Sequence, residues 1–258
     1  MKAKDLTDQI TKTYKTLRIG LAVMAFAFPL LLWIGGYIFA KLPLAGSMSA
    51  YYHASDFLHP DQGPPGQGVM RNEFVGILFA IGALLIAYQG YSWLEDYALN
   101  VAGALALGIA LFPMKWPSQP NDGSFSLHGT CAILFFACIA YVCIWRAGDT
   151  LTLIKNDPAK TARYRRTYQI LGLAMLICPL LAWVLISWMP FHKSAIFFTE
   201  LAGIYVFATY WVIKTIEAYK TGLDKRAAEG KLATQPHGLS DFLRPLPVID
   251  LEDQKQNP

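Results

Sequence analysis

Apolar residues along this chain gather into long runs separated by short polar breaks, and the lengths of the runs set the first expectation. Six of them stand out, at roughly 18–40, 74–93, 97–113, 127–145, 167–189 and 194–214. A helix needs about 20 apolar residues to cross hydrocarbon, because each backbone polar group must be satisfied within its own segment. The pattern predicts an all-α polytopic membrane protein with six transmembrane helices, the third the shortest. Residues 1–17 follow another rhythm. Leu6, Ile10, Tyr14 and Leu17 recur about one turn apart with Lys and Asp between them, which predicts an interfacial amphipathic helix. A cleaved signal peptide would explain the first run too, but that run exceeds a signal core and no small-x-small site follows it cleanly.

The breaks divide the rest. The transmembrane domain spans 18–217, with a long loop at 41–72 that carries the tract HPDQGPPGQG; a second broken loop covers 114–126, and MPFHK makes a tight turn. Loops as long as the first usually carry function or lack order. The connection 146–166 is polar and basic, and 218–258 reads as a charged cytoplasmic tail. Composition fits: 54% of residues are hydrophobic and 16% charged, against about 25% charged in soluble domains.

Charge then orients the chain. With both termini cytoplasmic, 18 of the 22 lysines and arginines fall on the inner side, and only Lys41, Arg71, Lys115 and Lys193 lie outside. This places the chain in the bacterial inner membrane, with 41–72 periplasmic. The net charge of +4 reflects that topology and an attraction to anionic lipids, so membrane lipids are the expected partners and nucleic acid is not. Gly103 and Gly108, among Ala102, Ala104 and Ala106, form a smooth face for close helix packing that also permits a homo-oligomer or a membrane-protein partner. The four cysteines lie inside predicted spans without CxxC spacing and read as packing residues.

Candidate chemistry collects on the outer side. The stretch SMSAYYHASDFLHP, residues 47–60, is rich in hydroxyls and imidazoles where the chain leaves its first span. His53, His59, His128 and His192 all fall on that side, accompanied by Ser47, Ser49, Asp56, Asp61, Arg71, Glu73, Asp122 and Glu200. An acid as deep as Glu200 should face the bundle interior with a partner. If residues 49–53 are α-helical, Ser49 and His53 share a face. Imidazoles with a carboxylate suit a zinc-type site, with His53, His128 and Glu73 as ligands and an open position for activated water. A Ser–His–acid system is the other option, Ser49 or Ser47 attacking and His53 or His128 acting as base. Histidines bonded to loop carbonyls are the bland one.

Two resemblances bear on this. The stretch LFPMKWPSQPNDGSFSLHGTCAILFF, Leu111 to Phe136, with ALNVAGALALG before it, resembles an uncharacterised bacterial family of six-helix membrane proteins. That family is related to the DRAM-like proteins, which include eukaryotic proteins of lipid and GPI-anchor remodelling. The resemblance implies six helices, cytoplasmic ends and a histidine, here His128, opening the fourth helix. Ser49-x-x-x-His53 followed by Glu73-Phe-Val-Gly-Ile resembles the alkaline ceramidase and progestin/adiponectin receptor superfamily of membrane hydrolases, which implies zinc at the histidine. This chain has six spans where that superfamily has seven, Glu in place of Asp, and no His-x-x-x-His in its last span.

The expected function is a lipid-directed hydrolase or acyl-transfer enzyme with a periplasm-facing pocket, metal-dependent if zinc binds. Ser49, Glu73 and His128 are the candidate catalytic residues; Arg71, Tyr52 and Glu200 are the candidate substrate contacts. The alternative is a membrane protein that binds a lipid or a partner without turnover. A transporter is less favoured, because no inverted repeat is visible and few charges lie within the spans.

Overall fold

The computed structural model describes residues 3–56, 68–114, 126–155, 157–188, 192–234, 238 and 241–256. Among the described residues there are six long helices: α1 (Ala3–Ala40), α2 (Val69–Ala87), α3 (Trp93–Leu111), α4 (Leu127–Tyr141), α5 (Pro158–Ser187) and α6 (Ala195–Thr221). Among the described residues, five segments are long and apolar enough to cross a membrane: Leu6–Ala40, Val69–Ala87, Trp93–Leu111, Leu127–Leu153 and Ala195–Thr221. The chain is a multi-pass, mainly helical membrane protein. Residues 3–17, expected as a separate interfacial helix, continue into the first span as part of α1.

The helices close into a ring in chain order, each packing against the next and α6 packing back against α1. Leu21, Ala25, Phe28 and Leu32 of α1 point into this ring. Val23, Phe26, Leu30 and Ile34 of the same helix point out, as do Ile170, Leu173, Ile177 and Leu180 of α5. So wide an apolar exterior belongs in lipid. Small residues bring the α2 and α3 backbones close: a Cβ on Gly82 of α2 would stand 2.8 Å from the Gly103 carbonyl oxygen, and one on Gly103 of α3 2.7 Å from that of Gly82. The expected smooth face on α3 is therefore used within the chain. The four cysteines are free.

Local chemistry starts and stops the helices. Ser92 caps α3, its hydroxyl accepting the Glu95 N–H at 3.3 Å, while Glu95 reaches back to accept the Tyr91 N–H at 2.8 Å. Asp96 accepts the Gly90 N–H through one oxygen and the Asn100 amide through the other. Ser126 caps α4 through the Gly129 N–H. A π-helical turn, Val142–Arg146, extends α4, and the connection read as a polar loop forms a 3-10 turn at Asp149–Leu153 before α5 begins at Pro158.

The tail folds back. After α7 (Leu223–Ala228), β1 (Leu232–Thr234) and β2 (Val248–Asp250) form an antiparallel pair, Ala233 opposite Ile249, and α8 (Leu251–Gln256) follows. Phe242 stacks on Tyr141 of α4 with ring centroids 4.3 Å apart, and Thr152 donates to the Val248 carbonyl at 2.6 Å. These contacts hold the tail on the end of the bundle where the chain begins and ends.

Candidate functional site

At the opposite end, the segment after α1 turns inward as a 3-10 helix, Ser49–Asp56. Ser47 opens it, its Oγ accepting the Ala50 N–H at 3.0 Å. Tyr51 fastens it to α1: its ring lies so close to Gly36 that a Cβ there would meet Cε1 at 2.2 Å. The Phe197 N–H donates to the Gly46 carbonyl at 2.9 Å, tying the same segment to α6.

This placement brings Ser49 to His128. Ser49 Oγ stands 2.7 Å from His128 Nε2, and both residues are buried. His128 Nδ1 lies 3.0 Å from the Ile109 carbonyl oxygen and 2.9 Å from that of Phe112. Carbonyls only accept, so Nδ1 carries the proton and Nε2 presents its lone pair to the Ser49 hydroxyl. The two carbonyls come from the C-terminal turn of α3, where the last carbonyls of a helix lack partners and the dipole favours positive charge. The fold thus sets the tautomer of His128.

Glu200 of α6 completes the cluster. Its Oε2 accepts the Met48 N–H at 2.6 Å and its Oε1 lies 3.3 Å from Ser49 Oγ. Beneath these three polar side chains is an apolar cavity of about 50 Å³, lined by Phe28, Phe74, Leu78, Phe135 and Ile204 among others. Phe74 stacks against the His128 ring. The site is a hydroxyl, an imidazole and a carboxyl at the head of a hydrophobic slot.

The other expected site residues lie elsewhere. His53 does not share a face with Ser49: a 3-10 helix has three residues per turn, so a step of four rotates the side chain about 120° away. His53 Nε2 donates instead to the Met114 carbonyl at 2.9 Å. Glu73 precedes Phe74, and one residue on an α-helix is a turn of about 100°. Phe74 faces the slot, so Glu73 is turned toward α1, where its Oε2 would stand 2.9 Å from a Cβ on Gly35. Arg71 and Tyr52 engage each other, the guanidinium 5.0 Å from the ring centroid and Nε donating to the Tyr52 carbonyl at 3.4 Å. Zinc at His53, His128 and Glu73 therefore has no common centre. Among the described residues no three His, Cys, Asp or Glu side chains are grouped to hold a metal ion. His59, Asp61, Asp122 and the side chains of Asp56 and His192 fall outside the described positions.

A second polar cluster, at the other end of the bundle, is absent from the sequence reading. Lys214 Nζ bonds Thr150 Oγ1 at 2.7 Å and Glu217 Oε2 at 2.9 Å, and Tyr168 donates to Glu217 at 2.8 Å. Arg18 grips Asp224 with both terminal nitrogens, and Tyr91 donates to the same carboxylate at 2.6 Å. Arg146 Nη1 faces Asp149 at 3.6 Å and Nη2 donates to the Arg244 carbonyl of the tail. The signal was visible only as isolated charges at the edges of apolar runs.

No family model, curated protein or solved structure matches this chain.

Proposed function

We propose that this is a six-span protein of the bacterial inner membrane, both termini cytoplasmic, whose Ser49–His128 pair performs acyl transfer or hydrolysis on membrane lipids. The topology rests on the distribution of lysine and arginine and on α5 as the remaining span. The chemistry rests on one observation: the Ser49 hydroxyl sits 2.7 Å from an imidazole nitrogen whose ring is held in the base-competent tautomer.

In this reading Ser49 Oγ attacks the carbonyl carbon of a lipid ester as its proton passes to His128 Nε2. The carbonyls of Ile109 and Phe112 orient the ring and fix its tautomer, one of the two tasks of an aspartate in a triad. His128 then gives that proton to the departing alcohol oxygen as the acyl–oxygen bond breaks. Water, or a second alcohol that surrenders its proton to His128, releases the acyl group from Ser49. Glu200 is a positioning residue that holds the segment through the Met48 N–H, and the slot takes the apolar end of the acyl group.

The lining of the slot also favours a second reading, in which an acyl chain binds without turnover. Full-length protein in vesicles of phosphatidylethanolamine and phosphatidylglycerol, followed by lipid mass spectrometry, separates the two. Free fatty acid or lyso-lipid should form with wild type and fall at least 100-fold in Ser49→Ala and His128→Gln, the scale for losing a nucleophile or base. Unchanged lipids with wild type, or equal turnover in Ser49→Ala, would leave the binding reading.

A further inference from the structure

We propose that the groove between the first turns of α5 and the last turns of α6 binds the head group of an anionic phospholipid in the leaflet on the side of the chain termini. This rests on the membrane assignment alone and stands apart from the Ser49 chemistry. The groove has a volume of about 250 Å³ and is lined by Arg163, Tyr164, Thr167, Ile213 and Ile216. One wall is polar and aromatic and the other aliphatic, the division that a phosphodiester with attached acyl chains would present.

Both helices place this groove at head-group depth. The exposed apolar stripe of α5 begins at Ile170, seven residues beyond Arg163, or about 10 Å along the axis. On α6, Ile216 and Tyr219 are the last exposed apolar side chains, and Lys220 follows one turn after Ile216 on the same face. Arg163 and Lys220 are exposed, and neither forms an ion pair among the described residues. The nearest carboxylate in sequence, Glu217, is buried and committed to Lys214, Thr150 and Tyr168. The cationic rim is thus uncompensated exactly where lipid phosphates lie, and an apolar wall continues from it into the hydrocarbon. Basic grooves between membrane helices at this depth suit anionic lipid head groups.

Native mass spectrometry of the full-length protein, released from nanodiscs of equal phosphatidylglycerol and phosphatidylcholine, reads the retained lipid. Wild type should keep phosphatidylglycerol over phosphatidylcholine by on the order of tenfold, the scale for two interfacial cations. Arg163→Gln with Lys220→Gln should erase the preference, whereas Lys12→Gln with Lys225→Gln, the same charge removed elsewhere at that end, should keep it. Ile216→Trp, which fills the groove and leaves both cations, should also erase it. Circular dichroism and gel filtration confirm that each variant is folded. No preference in wild type, an equal loss in both charge pairs, or Ile216→Trp behaving as wild type would overturn the proposal. So would displacement of the lipid by millimolar inorganic phosphate, which would mark a site for free anions.

Discussion

The two ends of the bundle handle buried polarity in opposite ways. At the end that carries the termini, Arg18 faces Asp224, Lys214 faces Glu217 and Arg146 faces Asp149, all out of contact with solvent. Glu95 is buried with them and spends one oxygen on the Tyr91 N–H. Such a network is expensive to desolvate and fixes relative positions, so it reads as the lock that joins α1, α4, α6 and the tail. At the other end the cluster is small: one hydroxyl, one imidazole and one carboxyl, with a cavity beside them. Its bonds define a proton's direction. Paired charge holds shape at the first end, and a hydroxyl oriented toward an imidazole beside free volume marks the second.

The largest break in this contrast should come from halving an ion pair. Glu217→Ala strands Lys214, and we expect a loss of about 3–5 kcal/mol, seen as a collapse in the yield of folded detergent-solubilised protein. Lys214→Met combined with Glu217→Leu should recover most of that loss, since apolar replacement of a whole buried pair is often neutral. A double variant as unstable as the single one would mean that the pair contributes beyond mutual compensation.

Gly36→Val comes next. The added side chain meets the Tyr51 ring, so the 49–56 turn must shift, at about 1–3 kcal/mol by thermal unfolding. Reactivity at Ser49 should be lost with it. A Gly36→Val protein that is less stable yet fully reactive would separate Tyr51 from the placement of Ser49.

Ser49→Ala should cost less, about 1 kcal/mol, because it removes a short bond to His128 Nε2 and a longer contact with Glu200 and leaves the His128 Nδ1 bonds intact. A cost of several kcal/mol would class this cluster with the opposite end as scaffolding.

The smallest effect concerns the tail. Burial works against the charge of Asp250, and the Lys155 ammonium, the Glu252 N–H and the Arg226 guanidinium together outweigh it, holding its carboxyl below the usual carboxylate range. Its contribution is present above the carboxyl's unfolded pKa and is lost as pH falls through the lower folded value. Lys155 is raised by its bonds to Asp253 and Asp250, so its share is present below its unfolded pKa and fades as pH rises through the folded one. Protection against hydrogen exchange across 248–253, relative to unstructured amides at the same pH, should therefore be high at neutral pH and fall below the carboxylate range. A flat acid profile would show the apolar contacts of the tail to be sufficient.

How much of this could be read in the sequence differs by scale. Run lengths located the long helices because hydrocarbon thickness sets a length that composition reveals. Glu200 was singled out because a carboxyl in an apolar run has to find a partner, and it lies beside Ser49 and Met48. His128 was found, but its partner was not: pairing Ser49 with His53 assumed 3.6 residues per turn, and the segment winds with three. Glu73 was misplaced by a single helical step from Phe74. The network at the far end joins residues as distant as Arg18 and Asp224, 206 positions apart, and no local pattern announces such a pairing. Its lysines and arginines had been credited to topology alone.

One measurement bears most directly on the central claim that Ser49 is a nucleophile activated by His128. Folded, full-length protein is treated with an alkyl fluorophosphonate and mapped by peptide mass spectrometry. The account predicts a covalent adduct on Ser49 in wild type, none on Ser47, and loss of the Ser49 adduct in His128→Gln. An unmodified Ser49 in folded wild type, or equal labelling in wild type and His128→Gln, would contradict it.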